Sequence, residues 1–391
     1  MNNLETNKSL ELSKYKKIIK SLIACIPIIL LSLVLLTGGQ KLPKEPLMKI
    51  SFFIGYIFIN VIFFLMMYTK KTYKYRKIFF VTYALLFVVT FMTNLVEVRG
   101  SIFYNQSTFI SGETPFCHMV IPMIIIPAAL TKTIIFPGSL LNGFASIASM
   151  IVIWLGATIA FGRGWCSWAC FYGGLDEGCS SLCKKTKLKI NKKWTYLSFA
   201  ILISIVLLSA ATLSPVYCDW LCPFKAVTES EQITSFVTII KTIIFYSLFL
   251  ILVIILPILT GKRTQCGLFC PFGAFQSFTN KINIFEVRVD KNKCLNCKKC
   301  IMECPTYSMD ENSLLNSKAL MTCTKCGKCI DICPASAISY HIKGTNIGLK
   351  TTLSRYLFIY PVYTFALTIG GSMIVKGIYK ILKLITTGSF F

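Results

Sequence analysis

The sequence predicts an α-helical polytopic membrane protein of about 6–7 spanning helices with an internal parallel repeat, and a small α+β domain inserted ahead of the last apolar stretch. Three observations predict it. Apolar residues make up 54% of the 391 positions and the mean hydropathy is +0.65, which points to bilayer spans and away from a soluble fold. The lysines of a chain with net charge +25 sit in short clusters beside apolar runs; that is the positive-inside pattern of membrane loops, not a basic face for nucleic acid. Eight of the eighteen cysteines crowd between Cys294 and Pro334, a density that suits metal ligation better than a disulfide scaffold.

Residues 1–77 read as an N-terminal two-span anchor. Ile18–Leu36 is long enough for a hydrocarbon core of about 30 Å. Leu22-Ile23-Ala24-Cys25 imitates a lipoprotein cleavage box, but most of the apolar run follows Cys25, so the segment is an uncleaved anchor with Cys25 in its core. Ile50–Tyr68 spans next. Lys70, Lys71, Lys74, Arg76 and Lys77 then fix the following loop, and with it the N-terminus, on the cytoplasmic side of the inner membrane.

Residues 78–280 form a four-span core. Ile78–Leu95 leads outward to a loop ending in Pro115-Phe116-Cys117-His118, and Met119–Leu130 is short and proline-containing, hence re-entrant or interfacial. Leu140–Ala160 returns inward to FGRGWCSWACFYGG, where six lysines between Lys184 and Lys193 mark the inner side. Trp194–Ser214 goes out to YCDWLCPFKA, and Phe236–Thr260 comes back to GKRTQCGLFCPFGAFQ. Laying Cys166 over Cys266 puts Arg163 on Arg263, Cys170 on Cys270 and Gly173 on Gly273. Repeats of equal orientation imply a pseudo-twofold axis along the membrane normal, with paired motifs facing one centre. Residues 281–343 are the inserted domain. In the C-terminal segment, 344–391, Tyr356–Val375 is apolar enough to span, while Lys376, Lys380 and Lys383 argue against an outer tail.

The inserted domain reads CLNCKKCIMECP and then CTKCGKCIDICP. Each half is C-x2-C-x2-C-x3-C-P, the run by which bacterial ferredoxins hold [4Fe–4S] clusters, the fourth cysteine of each run ligating the other half's cluster. Cluster one takes Cys294, Cys297, Cys300 and Cys333; cluster two takes Cys323, Cys326, Cys329 and Cys304. Two zinc knuckles would need only four ligands per metal at looser spacing. Such thiolates must stay reduced, so the domain belongs in the cytoplasm.

Cysteines four apart lie on one face of a helical turn, so Cys166 with Cys170 and Cys266 with Cys270 form two pincers that meet on the repeat axis. Four thiolates at low dielectric are tolerable only around a multivalent metal centre, and Arg163 and Arg263 would offset its remaining negative charge. A third iron–sulfur centre is expected there, the alternatives being a mononuclear metal or merely packed thiols. Cys179 and Cys183 form another pincer that could replace one of these. On the outer face Cys218 and Cys222, with Cys117 and His118 from the equivalent loop, could hold a further metal, cluster or quinone site, or else a Cys218–Cys222 disulfide. Ser111-Gly112-Glu113-Thr114 is a weak likeness of a flavin-attachment motif and is better read as an exposed turn. Walker A and G-x-G-x-x-G motifs are absent, so neither nucleotide hydrolysis nor a Rossmann cofactor site has support; with two histidines and no C-x-x-C-H, a multi-haem carrier with paired histidine ligands is excluded.

With FGRGWCSWAC, CDWLCPFKA, CGLFCPFGAFQ and the doubled cysteine run, the chain resembles the membrane polyferredoxins of the NapH and NosR types across about residues 78–343. The resemblance implies an iron–sulfur electron-transfer protein, a quinol dehydrogenase-type component more than a stand-alone enzyme. It would join cytoplasmic carriers or the quinone pool to a membrane or outer-face acceptor. The rival function is a maturation or metal-reducing factor for another redox enzyme. Phe171 stands where the family's first C-x3-C-P has proline, and Cys179, Cys183 and the 218–223 motif add thiols, so nitrate as terminal acceptor is not carried over.

Overall fold

In a computed structural model of the chain, residues 2–104, 117–134, 147–183, 186–345 and 351–390 are described. Among the described residues seven helices are long and apolar enough to cross a membrane: Lys14–Thr37, Pro46–Thr69, Thr72–Arg99, Ile147–Trp168, Lys192–Thr212, Phe236–Thr260 and Thr352–Thr387. The predicted short segment is the helix His118–Thr131. The start of the predicted fourth span at Leu140 and the turn Ser111–Thr114 lie outside the described residues.

Local chemistry sets the helix ends. The second span begins with proline at its first turn and stops at Lys70, which takes the left-handed conformation (φ 60°). The sixth starts with a capping box between Ser235 and Thr238. The third has no cap of its own. Its first N–H groups, on Thr72, Tyr73 and Lys74, donate instead to the Asp331 carboxylate at 3.0, 2.8 and 3.3 Å. A carboxylate there satisfies orphan donors and complements the positive end of the helix dipole. Asp331 lies between Cys329 and Cys333, so the inserted domain itself caps this span. At the other end Gly100 (φ 74°) closes the helix by donating to the Val96 carbonyl.

The inserted domain is built on an antiparallel pair, Phe285–Val289 against Ile338–Ile342, in register Phe285↔Ile342 through Val289↔Ile338. Alternate residues of the first strand are buried, as the period-2 pleat requires. The seventh span begins beside this domain, where Arg355 Nε donates to Thr72 Oγ1 at 3.1 Å, and runs parallel to the third. Far along both, Lys380 Nζ meets Glu97 Oε2 at 2.7 Å. That pairing answers the lysines that argued against an outer tail: the helix ends on the side opposite the inserted domain.

The predicted pincers are corrected here. The helical turn Trp165–Trp168 ends before Cys170, which is extended (φ −79°, ψ 107°), and a new helix starts at Phe171. Cys222 (φ −78°, ψ 107°) and Cys270 (φ −68°, ψ 115°) repeat the break. Both precede a proline, whose ring drives the preceding residue out of helical space. The paired cysteines therefore flank a sharp bend and do not share a helix face; Phe171 keeps the bend without the proline.

Candidate metal centres

Each ferredoxin ligand set predicted from spacing lines one cavity. Cys294, Cys297, Cys300 and Cys333 surround the first, with Pro334 and Ile338; Cys304, Cys323, Cys326 and Cys329 surround the second, with Pro305 and Met309. Each cavity includes the fourth cysteine of the opposite run. Backbone N–H groups turn toward the outlying sulfurs, Ser308 N–H to Cys304 Sγ at 3.1 Å and Ala337 N–H to Cys333 Sγ at 3.3 Å, as a negatively charged thiolate centre needs. The donor sets fit two cubanes. Replacing Cys304 by serine should cost the full-length protein about four irons and the cluster-two EPR signal while leaving cluster one; equal loss of both signals would count against the exchanged ligand.

The second cavity faces the membrane core. Asn280 Nδ2 donates to the carbonyls of Met321 and Cys323 at 2.7 and 2.8 Å. Two arginines clamp the junction. Arg163 gives Nη1 to the Thr322 carbonyl at 2.8 Å and Nη2 to the Cys266 carbonyl at 2.9 Å. Arg76, fully buried, gives Nε to the Cys326 carbonyl at 3.0 Å and Nη1 to the Ser167 carbonyl. Each guanidinium thus ties a cluster-two loop to a membrane cysteine turn.

The repeat is visible atom by atom. Arg263 Nη2 donates to the Cys166 carbonyl at 2.7 Å, the counterpart of Arg163 on Cys266. Glycine makes room for both: a Cβ on Gly173 would lie 2.4 Å from Arg263 Nη2, and one on Gly273 3.0 Å from Arg163 Nη2. Behind them Glu177 pairs with Arg76 and, at 3.7 Å, with Arg263, all three side chains wholly buried. Burial alone would raise the Glu177 carboxyl, yet the two guanidiniums hold it below its ordinary value. Asp176 accepts from the Cys266 N–H at 2.9 Å.

Cys166, Cys170, Cys266 and Cys270 are brought together as expected. The Cys270 thiol lies close enough to Cys166 and Cys222, and the Cys266 thiol to Cys270 and Cys170, for their charges to act on one another. Four such thiols become thiolates only if a metal centre supplies the compensating charge. Among the described residues no three His, Cys, Asp or Glu side chains close on a single ion. The same holds at the ferredoxin cysteines, because a cubane spreads its thiolates over separate corners. Cys179 lies in the last turn of the helix Phe171–Ser180 and Cys183 three residues past its end, both half-buried; burial and then the Asp176 carboxylate raise the Cys179 thiol.

The outer site is corrected in its depth. Cys117 Sγ lies 3.3 Å from Tyr172 Oη, and His118 Nε2 lies 3.2 Å from Cys170 Sγ. Phe171 stacks on Phe87 at 3.7 Å between ring centroids, and Phe87 stands about 22 Å along the third span from Thr72 at about 1.5 Å per residue. The turns with Cys170 and Cys270 dip in from the ferredoxin side, and those with Cys117 and Cys222 dip in from the far side, where Arg99 pairs with Glu229 at 2.5 Å. They meet about half-way along the third span, not at its two ends. A cavity of about 230 Å³ opens there, lined by Cys117, His118, Cys218, Cys222 and the rings of Phe87, Phe171 and Tyr172. Cys218 and Cys222 are both free thiols.

Sequence reasoning missed Arg76, Glu177 and Tyr172. Arg76 was counted as loop charge, although it is the one arginine among four lysines, and Asp176-Glu177 is an acidic pair placed just before a run of six lysines.

Residues 286–335 match the 4Fe–4S dicluster domain family. The 4Fe–4S binding domain family matches three times, at 142–190, 194–230 and 242–291, so the 218–223 motif, read as an addition, is a further copy of the cysteine turn. A putative electron transport protein of Escherichia coli, YccM, is 23% identical over 43% of this chain and 48% of its own length. The methylamine utilization ferredoxin-type protein MauN of Methylobacillus flagellatus is 26% identical over 44% of this chain and 58% of its own. An uncharacterized protein of Methanocaldococcus jannaschii is 26% identical over 54% of this chain and 81% of its own length. No solved structure matches. The chain spans about half the length of the two relatives named for electron transport or as ferredoxin-type. Its ferredoxin domain binds two [4Fe–4S] clusters, and the chain is similar to proteins named for electron transport or as ferredoxin-type.

Proposed function

We propose that the chain conducts electrons from the cytoplasmic side, through a third thiolate centre at Cys166, Cys170, Cys266 and Cys270, to an acceptor reached from the far side. A [4Fe–4S] cluster supplies reversible one-electron storage when bound. The observation that carries the reading is the junction: Arg76 and Arg163 hold the Cys326 and Cys323 loops directly on the two cysteine turns. Arg163 and Arg263 offset negative charge there. His118 and Tyr172 link those turns to Cys117, Cys218 and Cys222, so no single step has to cross about 30 Å of hydrocarbon. The aromatic cavity beside them suits a flat apolar acceptor of quinone class. The lysine clusters support a cytoplasmic ferredoxin side.

A second reading, a metal-reducing maturation factor, is favoured by one feature: Cys117, Cys218 and Cys222 are soft ligands lining a single cavity with Met119. Proteoliposomes separate the two readings. With an impermeant reductant outside and a quinone analogue in the bilayer, a conduit reduces the quinone, and Cys166→Ala abolishes this. If quinone is never reduced while trapped cupric ion is, the second reading holds.

A further inference from the structure

We infer that the face around Cys297 is the docking site of an acidic, soluble one-electron carrier protein; this rests on the conduit reading and names the partner at its cytoplasmic end. Cluster two is buried against the membrane core, so cluster one is the outward centre of the pair. Of the eighteen cysteines Cys297 is the one that is exposed. Leu295, two residues before it, is 70% exposed, and Leu315 is 67% exposed; Lys298–Glu311 pairing at 2.6 Å holds the Leu315 helix beside the Cys297 loop. An uncovered apolar spot against a redox ligand is what a transient protein contact covers.

Charge decides the partner's class. Lys291, Lys293, Lys298 and Lys299 surround the spot and are all exposed. Asp290 takes up Lys293 at 3.4 Å and Glu311 takes up Lys298, which leaves a net positive rim on a chain of net charge +25. A positive rim steers a negatively charged protein toward encounter and does so less at high salt. Anionic lipid is disfavoured as the occupant, because the clamped cluster-two side is the one turned to the membrane. The step is a single electron transfer: the carrier's reduced centre loses one electron, the centre held by Cys294, Cys297, Cys300 and Cys333 gains it, and no bond or proton changes place.

The test uses the full-length protein in neutral phosphatidylcholine nanodiscs and a flavodoxin of net negative charge. Binding of oxidised flavodoxin is measured first, then the second-order rate at which reduced flavodoxin bleaches the clusters. Raising ionic strength from about 0.05 M to about 0.5 M should weaken binding and slow reduction at least about tenfold. K291E/K293E/K298E should do the same at low salt, while K41E/K44E, on the exposed loop at the end of the bundle opposite the domain, should not. K291E/K293E lies outside the cysteine run and keeps the test open if the triple variant loses iron. Binding that ignores salt and both rim variants, that K41E/K44E weakens equally, or that appears only with anionic lipid overturns the proposal. Dithionite bypasses the face: if dithionite-reduced protein fails to reduce a membrane acceptor, the conduit reading fails instead.

Discussion

Arg76→Ala should both destabilise the protein and disconnect its ferredoxin domain. The guanidinium is fully buried and serves the Cys326 carbonyl, the Ser167 carbonyl and Glu177 at once. Its removal leaves Glu177 with the 3.7 Å contact to Arg263 and the Tyr73 hydroxyl, and removing one partner of a buried ion pair costs about 3–5 kcal/mol. Thermal unfolding in detergent should show the loss. Glu177→Gln in the same chain should recover part of the stability, because an amide carries no uncompensated charge. It should not recover electron delivery, since the tether between the Cys326 loop and the Ser167 turn is still missing. A single variant with wild-type melting and wild-type delivery would show that the junction is held by other contacts.

Cys166→Ala and Cys266→Ala should each lower iron content by about four per chain, the complement of one cubane. The ferredoxin EPR signals should persist in both, because neither residue lines a ferredoxin cavity. Delivery to a membrane acceptor should fall to background in both. The two variants are a pair in a strict sense: Arg163 binds the Cys266 carbonyl and Arg263 the Cys166 carbonyl, so the halves should fail alike. Unequal iron loss would break the symmetry on which the four-thiolate site depends.

The spans, the doubled cysteine run and the Arg163/Arg263 repeat were legible because each is local: an apolar stretch, a fixed spacing, a match at equal offset. The depth of the cysteine turns was not. Hydropathy averages over a whole span and cannot see a bend such as that at Cys170, where one helix stops and another starts. Spacing of four suggested one helix face, and only the pre-proline conformation of Cys222 and Cys270 shows why it fails. Asp331 capping the third span, from 259 positions away, is a tertiary contact with no sequence pattern. His118 was legible as a candidate ligand and not as a neighbour of Cys170, for the same reason.

The central claim is that the membrane core holds its own iron–sulfur centre. Iron and acid-labile sulfide measured on anaerobically purified full-length protein test it most directly. The account predicts about twelve of each per chain, three cubanes in all; about eight, with both ferredoxin signals at full intensity, would contradict it.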